Sequence, residues 1–323
     1  MNFSFILSTF LPLFSFSSFN NLHSKNLIEE KCLDYTKMVK ESDYTKYDSV
    51  YFDYENGPVF LDTELENITE NDYKNRPESF FNDTPSSTQN LRDASGIFYP
   101  DTRVSLTSTQ CASYPYTAVC KILREYVDGD GITWYAGGTG ALVGPNVFLT
   151  ASHCVYDENL GWPTKFEVYP AYYYGENLNY GHASMVGASV GVVFNTHDAN
   201  DDWAIVRLDW NIANTVGWYF NVVCENLSDN QMARNIAHQD DRGCLTDAYG
   251  TIDTVYTYKF YHTIDAYSGA SGSPIFKQNS LNICGVHSAG IHNNYIDTNT
   301  AYRVSTYLET WVADDIIDWA IDD

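Results

Sequence analysis

Short apolar runs separated by turn-forming residues fill the chain from Ser95 onward. Many short strands divided by Gly, Asn and Asp are typical of a β-sandwich or of β-barrels. We therefore predict an all-β body, with strands within residues 118–123, 147–151, 166–169, 190–194, 203–208, 218–224, 251–258, 274–276, 283–287 and 302–304.

The end of the chain follows a different pattern, because its apolar residues recur at the spacing of one helix face. These residues are Val304, Leu308, Trp311, Val312 and Ile316. Thr306 and Glu309 have the spacing of a capping box, which favours a helix start at Thr306. The sequence thus predicts one C-terminal helix that follows the strands.

The chain before Ser95 is organised differently. Residues 20–92 are rich in Asp, Glu, Asn and Lys and lack the sustained alternation of strands. The stretch before them is apolar, with small residues at Ser15 and Ser17, as is typical of a secretory signal peptide. We predict a signal peptide at 1–19, with a buried N-terminal segment as the alternative. A removable pro-region is predicted at 20–94, with a disordered linker as the alternative, so we expect a secreted zymogen.

Composition narrows the range of partners. The chain holds 42 acidic and 18 basic residues, for a formal net charge of −24. Such a surface repels phosphate backbones and anionic lipid head groups, so no nucleic-acid partner is expected. No later stretch is long and apolar enough to cross a bilayer, so no stable membrane insertion is expected. The 26 Tyr, 17 Phe and 7 Trp reinforce the prediction of a β-rich body.

The chain contains seven cysteines. Cys32 lies in the predicted pro-region, which leaves an even number in the body. A secretory route favours disulfide bonds among these, although their spacing does not select a pairing. No two cysteines have the spacing of a zinc site, and we expect no metal.

The segment 268–276 reads Ser-Gly-Ala-Ser-Gly-Ser-Pro-Ile-Phe, with Ser271 close to two glycines. Glycine lets the backbone aim neighbouring N–H groups at one point, as an oxyanion hole requires. Ser271 is therefore a candidate nucleophile, and the N–H groups of Gly269 and Ser271 are candidate oxyanion donors. A plain Gly/Ser loop is the alternative.

A serine nucleophile needs a base, and the base needs an orienting carboxylate. His153 follows the apolar run 147–151, and Asp202 directly precedes the apolar run 203–208. A structural histidine and a solvated loop acid are the alternatives for these two residues. The chain order His, Asp, Ser is nevertheless that of one known type of serine protease triad.

These three segments resemble the catalytic blocks of trypsin/chymotrypsin-like serine peptidases. The matching stretches are 150–154 (Thr-Ala-Ser-His-Cys), 202–208 (Asp-Trp-Ala-Ile-Val-Arg-Leu) and 269–274 (Gly-Ala-Ser-Gly-Ser-Pro). The ending Ser-Gly-Ser-Pro is most similar to the bacterial glutamyl endopeptidase branch. The resemblance extends from about Ser95 to the C-terminus.

The resemblance implies two six-stranded antiparallel β-barrels followed by the C-terminal helix. The first barrel, residues 95–210, would carry the histidine and the aspartate, and the second, 211–323, would carry the serine. The implied activity is hydrolysis of protein or peptide substrates through an acyl-enzyme, without a cofactor. We expect a monomer, and the alternative is a non-catalytic binding protein on the same fold.

The resemblance also implies which residues surround the substrate side chain. His287 matches a histidine that helps to bind an acidic side chain, which favours cleavage after Glu or Asp; a buried strand histidine is the alternative. Ser288 follows it in the same strand. Asp265 occupies the position at which trypsin-like enzymes select Arg or Lys, so a trypsin-like preference is the second alternative. Ala266 replaces a hydroxyl residue of the glutamyl branch.

Two departures from the family pattern concern activation and disulfides. Ala270 stands directly before the nucleophile, where related zymogens often have an aspartate that pairs with the new N-terminus. Gly138 holds the position of a cysteine that often precedes the histidine block. Cys154 then needs another partner, for which Cys120 is a candidate.

Overall fold

The computed structural model describes residues 49–53, 57–61, 96–98, 100–157, 160–191, 201–292 and 297–319, all within the compact unit Val39–Asp323. The predicted signal peptide and most of the predicted pro-region lie outside these residues. The elements in chain order are β1 (Ser49–Asp53), β2 (Gly57–Leu61), β3 (Val104–Ser105), α1 (Ser108–Cys111), β4 (Val119–Val127), β5 (Thr133–Leu142), β6 (Val147–Thr150), β7 (Lys165–Tyr169), β8 (Ala183–Gly191), β9 (Ala204–Leu208), α2 (Ile212–Val216), β10 (Asn221–Val222), β11 (Gln231–His238), β12 (Leu245–Val255), β13 (Lys259–His262), β14 (Pro274–Lys277), β15 (Asn282–His292), β16 (Asp297–Arg303) and α3 (Thr306–Asp318).

The first barrel consists of β4 to β9. Its strands pair in the order β8-β7-β4-β5-β6-β9, and an additional antiparallel pairing between β8 and β9 closes the ring. The side chains that fill it come from alternating positions of these strands and are fully buried, for example Ile122, Phe148, Phe166 and Ile205. Burial of such side chains stabilises the barrel by roughly 1.5–3 kcal/mol each.

The second barrel consists of β11 to β16. Its strands pair in the order β15-β14-β11-β12-β13-β16, and β15 also pairs with β16 to close the ring. Its own core contains Ile252, Phe260, Ile264, Ile275 and Cys284. The predicted all-β class and the two six-stranded barrels implied by the resemblance are therefore confirmed.

The segment that leads into the first barrel belongs to the second barrel by its contacts. Strand β3 pairs antiparallel with β12, Leu106 N–H donates to Leu245 O at 2.9 Å, and Gly96 forms an isolated bridge with Ala266. Residues 95–210 are predicted to form the first barrel, but the backbone pairing of Gly96 and of residues 104–106 is with the second barrel.

Two strands lie in the predicted pro-region. β1 and β2 form an antiparallel hairpin, and β1 pairs antiparallel with β8 of the first barrel from Ser49↔Gly191 to Asp53↔Gly187. Residues 20–92 lack the sustained alternation of strands, yet these two short segments form strands. β1 pairs with β8, which is far away in the sequence, and the local alternation of apolar and polar residues does not predict such long-range pairing.

The predicted strands coincide with most barrel strands, but the apolar pattern missed β5, β11 and β13. β5 has the sequence TWYAGGTGAL, and β11 has the polar sequence QMARNIAH. Gly140 in β5 is required by close packing, since a Cβ there would overlap the Phe148 ring. Residues 218–224 contribute only the two-residue strand β10, shorter than predicted.

The C-terminal helix is confirmed, but its cap differs from the prediction. Ser305 is the N-cap residue, with extended backbone angles, and its hydroxyl accepts a hydrogen bond from Leu308 N–H at 3.2 Å. Thr306 is already the first helical residue. Glu309 accepts a hydrogen bond from Cys224 N–H at 3.0 Å, and so ties the helix to the second barrel instead of closing a capping box.

The predicted disulfide bonds are not formed in the structure. The six described cysteines, Cys111, Cys120, Cys154, Cys224, Cys244 and Cys284, are all free thiols. Cys120 was a candidate partner of Cys154, but its thiol points to Thr117 O at 3.9 Å. A Cβ built on Gly138 would lie 3.1 Å from Cys154 Sγ, so this position faces the Cys154 thiol. Because glycine has no thiol, Cys154 cannot form a disulfide bond there.

We predict that Phe260→Ala destabilises the protein by about 3–5 kcal/mol, because it empties the centre of the second barrel. Tyr135→Ala is the control, since Tyr135 is 77% exposed and its removal should change stability by about 0.5 kcal/mol or less. Chemical denaturation in a Ser271→Ala background measures both. Equal stability of the two variants would contradict the assignment of Phe260 to the core.

Candidate active site

His153 is placed by a tight turn at the end of β6. Residues Ser152–Cys154 form a 3-10 turn directly after the buried strand, and the turn directs the His153 ring toward Asp202. Arg124 supports this turn from β4, where its guanidinium donates to His153 O at 2.8 Å and to Gly137 O at 2.9 Å. The histidine is thus held by its backbone as well as by its ring.

The Asp202 carboxylate is 1% exposed and accepts hydrogen bonds from four donors. The His153 ring approaches through Nδ1 at 2.8 Å, and the His153 backbone N–H donates at 3.1 Å. The hydroxyls of Ser152, at 2.8 Å, and Ser288 supply the other two hydrogen bonds. Hydrogen bonds of this kind compensate the loss of solvation of a buried carboxylate and favour its ionised form.

The two groups shift each other's pKa values in opposite directions. Burial opposes a charge on either group, but the mutual attraction outweighs it. The carboxylate raises the pKa of His153 above its ordinary value, and the imidazolium with the hydrogen bonds lowers the pKa of Asp202. An ionised Asp202 therefore holds His153 with its proton on Nδ1 when the ring is neutral, which leaves Nε2 as a base.

Ser271 lies in the loop 263–273 between β13 and β14, here called the serine loop, and residues of both barrels bind this loop. From the first barrel, Thr139 N–H donates to Ser271 O at 2.9 Å, and Cys154 Sγ lies 3.5 Å from the same oxygen. From the second barrel, His287 O accepts from Gly272 N–H at 2.8 Å. Gly272 has a φ of 81°, and a Cβ at this position would overlap Thr150 Oγ1, so a glycine is required.

The structure thus brings the three predicted catalytic residues together. The Ser271 carbonyl contacts Cys154, the residue that follows His153, while His153 binds Asp202.

The predicted oxyanion donors are the N–H groups that the serine loop leaves available. Ala270 N–H donates to Tyr267 O at 3.0 Å, and Ser273 N–H donates to Ala270 O at 2.9 Å. Among the described residues, the N–H groups of Gly269 and Ser271 have no such acceptor. Gly269 has a φ of 90°, a conformation that favours glycine.

His287, a predicted substrate contact, lies on β15 and is 4% exposed. Its Nδ1 is 3.2 Å from Nε2 of His262, a fully buried histidine of β13 that the sequence analysis missed. Ile264 N–H donates to His262 Nδ1 at 3.3 Å. The bond from Ile264 favours the neutral tautomer of His262 that has its proton on Nε2, from which it donates to His287.

The pKa of His262 lies well below its ordinary value, because burial and the neighbouring His287 oppose a charge. His262 is thus neutral and acts as a fixed donor to His287. No short-range signal marks His262 in the sequence, since it is one of eight histidines and reaches His287 only through the closure of the barrel.

Asp265 was predicted to line the substrate pocket, and the structure gives it another partner. Its buried carboxylate accepts hydrogen bonds from Phe98 N–H at 2.6 Å, from Thr102 N–H at 2.7 Å and from the Thr102 hydroxyl at 2.6 Å. Asp265 therefore anchors the segment that precedes β3. The adjacent Ala266 is buried and donates its N–H to Gly96 O at 2.9 Å.

Ser288 was also predicted to contact the substrate. Its side chain is buried instead, and its hydroxyl donates to Asp202. Ser288 of β15 therefore supports the carboxylate and connects the second barrel to the aspartate of the first. Its contact with a substrate stays a prediction.

Comparisons with known proteins agree with this geometry. An extracellular metalloprotease of Bacillus subtilis is 29% identical over 230 residues, which are 70% of this chain and 70% of that protein. A glutamyl endopeptidase of Bacillus licheniformis is 26% identical over 224 residues, which are 68% of this chain and 67% of the relative. No protein-family model matches the chain.

A solved structure of a Glu endopeptidase superposes with a TM-score of 0.58 at 26% identity, and the match covers 68% of this chain and 99% of that structure. The resemblance to chymotrypsin-like serine peptidases is confirmed. The predicted enzyme class, a serine endopeptidase, is confirmed with it.

No helix among the described residues has the length and apolar character that a membrane span requires.

The name of the Bacillus subtilis relative raises the question of a metal site in this chain. Within the ranges that the structure describes, no group of three or more His, Cys, Asp or Glu side chains is arranged to hold a metal ion. The central imidazoles bind other protein groups, since His153 binds Asp202 and His262 binds His287. These donors do not fit a metal centre.

We predict that Asp202→Asn lowers the pKa of His153. The carboxylate stabilises the imidazolium, so its loss leaves burial, which favours the neutral ring. Histidine ring NMR shifts followed against pH measure the titration. Asp247→Asn is the control, because Asp247 pairs with Arg234 and leaves the His153 titration unchanged. An unaltered His153 pKa in Asp202→Asn would contradict the coupling.

Proposed function

We propose that this chain is a secreted serine endopeptidase with His153, Asp202 and Ser271 as its catalytic triad. The observation that carries the proposal is the 2.8 Å hydrogen bond between His153 Nδ1 and the buried Asp202 carboxylate, beside the Ser271 loop. A base with its orienting carboxylate next to a glycine-flanked serine is the arrangement that acyl transfer requires.

In the proposed reaction, His153 Nε2 takes the proton of the Ser271 hydroxyl as its oxygen attacks the carbonyl carbon of the peptide bond. The N–H groups of Gly269 and Ser271 stabilise the negative charge that develops on the carbonyl oxygen. His153 then protonates the leaving amine, and the C–N bond breaks to give an acyl-enzyme. A water molecule, deprotonated by His153, hydrolyses the acyl-enzyme and releases Ser271.

Asp202 keeps the His153 proton on Nδ1 and stabilises the imidazolium that forms in each step. Its own four hydrogen bonds keep it ionised throughout. Removing such an orienting carboxylate leaves the wrong imidazole tautomer and lowers the rate by about four orders of magnitude.

For the substrate, we propose a preference for Glu, or Asp, before the cleaved bond. The support is His287, which matches the histidine that the resemblance assigns to an acidic side chain and whose Nδ1 lies 3.2 Å from Nε2 of the buried His262. A donating imidazole with little solvent around it suits a carboxylate. The trypsin-like alternative needs an available Asp265, and that carboxylate already accepts three hydrogen bonds.

Secretion and maturation complete the proposal. The apolar residues 1–19 are proposed as the signal peptide, and residues 20–94 as a pro-region removed near residues 92–95. The name of the Bacillus subtilis relative describes that protein as extracellular. The β1–β2 hairpin would then be a contact that the pro-region makes with β8 before its removal.

We predict that Ser271→Ala lowers kcat by a factor on the order of 10⁶, since it removes the nucleophile. A fluorophosphonate should label the processed wild-type protein at Ser271 and leave the variant unlabelled. Ser113→Ala is the control, because the Ser113 hydroxyl donates to Thr109 O on the surface and should not affect labelling. Absence of labelling in wild-type protein of confirmed maturation would contradict the proposed function.

We predict that His287→Gln reduces the preference for Glu over Gln before the cleaved bond by roughly 10- to 150-fold. Hydrogen bonds to charged groups contribute about 1.5–3 kcal/mol, which corresponds to that range. Fluorogenic peptides that differ only at this residue measure the ratio of kcat/KM. His182→Gln is the control, because His182 is an exposed histidine paired with Glu176.

The same peptide set distinguishes the alternative specificity. A preference of the wild-type protein for Arg or Lys would overturn the acidic preference and leave the catalytic proposal intact. An unchanged ratio of Glu to Gln in His287→Gln would assign the recognition to another group.

A further inference from the structure

The direction of the Gly269 N–H depends on the peptide bond that joins Gly269 to Ser268. Peptide groups are planar, and this one is trans, so its carbonyl and its N–H point to opposite sides. The Ser268 carbonyl accepts a hydrogen bond from Asp240 N–H at 2.7 Å. This bond fixes the carbonyl toward Asp240 and turns the Gly269 N–H away from it.

Asp240 holds Ser268 at a second point. Its carboxylate accepts a hydrogen bond from the Ser268 hydroxyl at 2.7 Å. One residue thus binds both the backbone and the side chain of Ser268. Rotation of the Ser268–Gly269 peptide would have to break the backbone hydrogen bond and disturb the second one.

Lys121 connects this attachment to the first barrel. Its Nζ lies 3.1 Å from Asp240 Oδ1, and the lysine side chain, which comes from β4, is 11% exposed while that of Asp240 is 47% exposed. Ser268 and Lys121 therefore use different oxygens of one carboxylate. The ion pair crosses from one barrel to the loop of the other.

The next peptide group, between Gly269 and Ala270, is held by the first barrel. The Thr139 hydroxyl donates to Gly269 O at 2.8 Å. A Cβ on Gly269 would lie 2.7 Å from Asp240 Oδ1, so the loop packs closely against the carboxylate. Both peptide groups that flank Gly269 consequently have one orientation.

We propose that Asp240, held by Lys121, is a positioning residue that aims the Gly269 N–H at the oxyanion. The inference rests on the proposed function, because it assigns Gly269 as an oxyanion donor. Asp240 itself contacts no substrate atom in this scheme. Its carboxylate acts through the Ser268–Gly269 peptide. Without its contacts to the Ser268 hydroxyl and to Lys121, only the hydrogen bond from the Asp240 N–H to the Ser268 carbonyl would oppose rotation of that peptide and withdrawal of one of two donors.

The test compares Asp240→Ala with the wild-type protein after confirmed maturation. We expect kcat on a Glu-containing fluorogenic peptide to fall about 10- to 100-fold, short of the 10²–10³ that loss of a whole donor causes, while KM stays within about twofold. Affinity for a peptide aldehyde, whose tetrahedral adduct places an oxygen at the oxyanion position, should fall by the same factor as kcat. The pH at which activity declines on the acidic side should not move, since His153 is untouched.

Graded variants separate the contacts. Asp240→Asn retains an acceptor for Ser268 and should recover part of kcat, whereas Lys121→Met and Ser268→Ala should each cause a smaller loss than Asp240→Ala. Asp253→Ala is the matched control, an exposed aspartate that likewise accepts a bond from a neighbouring hydroxyl, that of Thr251. Thermal unfolding midpoints verify that each variant is folded.

The outcomes are distinct. Wild-type protein that is not labelled by a fluorophosphonate would refute the proposed function itself. Labelled, active wild-type protein together with an unchanged kcat and aldehyde affinity in Asp240→Ala would overturn the positioning role alone. A loss confined to KM, or a shifted acidic limb, would also overturn it, because those changes report substrate binding or His153.

Discussion

The structure of the site depends on keeping one carboxylate charged where water does not reach it. An uncompensated buried carboxylate is several kcal/mol less favourable than a solvated one, and only complete hydrogen bonding and a nearby positive charge offset this. Asp202 receives its hydrogen bonds from the turn at Ser152 and His153 of the first barrel and from Ser288 of the second. The carboxylate therefore constrains the packing of the barrels against each other as well as the histidine ring.

The serine loop is likewise held by hydrogen bonds from both barrels. Thr139 of the first barrel binds Ser271 and Gly269, while His287 of the second binds Gly272. Neither barrel alone could place the Ser271 carbonyl against Cys154. The position of the nucleophile thus follows from the contact between barrels, and that contact involves fully buried polar groups that tolerate little displacement.

The fold class could be predicted from the sequence because it depends on local patterns, and the candidate site residues were chosen from such patterns as well. Apolar runs marked most strands, and the segments around His153, Asp202 and Ser271 stand at strand ends or between glycines. What it missed is determined by contacts between distant residues. In β5, Gly140 is required by the neighbouring Phe148 ring, and in β11 the polar Arg234 pairs with Asp247 of the adjacent strand. The roles of Asp265 and Ser288 likewise depend on the distant residues that each contacts. The same holds for His262, which reaches His287 through barrel closure.

The serine loop is ordered without the aspartate that related zymogens often have directly before the serine. The resemblance implies an aspartate at position 270 that orders this loop by pairing with a new N-terminus, and the chain has alanine there. Two other attachments are present. Asp265 binds Phe98 and Thr102. Tyr267 N–H donates at 2.6 Å to Gln239, which also accepts from Arg103 at 2.6 Å.

Arg103 completes the arrangement, since its buried guanidinium forms a two-bond ion pair with Asp241, adjacent to the residue that holds Ser268. Side chains of the segment before β3 and of the corner after β11 therefore order the loop together. Because these bonds form between internal residues, the order of the loop does not require a charged chain terminus at position 270. The order of this loop would then not depend on the proposed removal of residues 20–94, since none of these bonds involves a chain terminus.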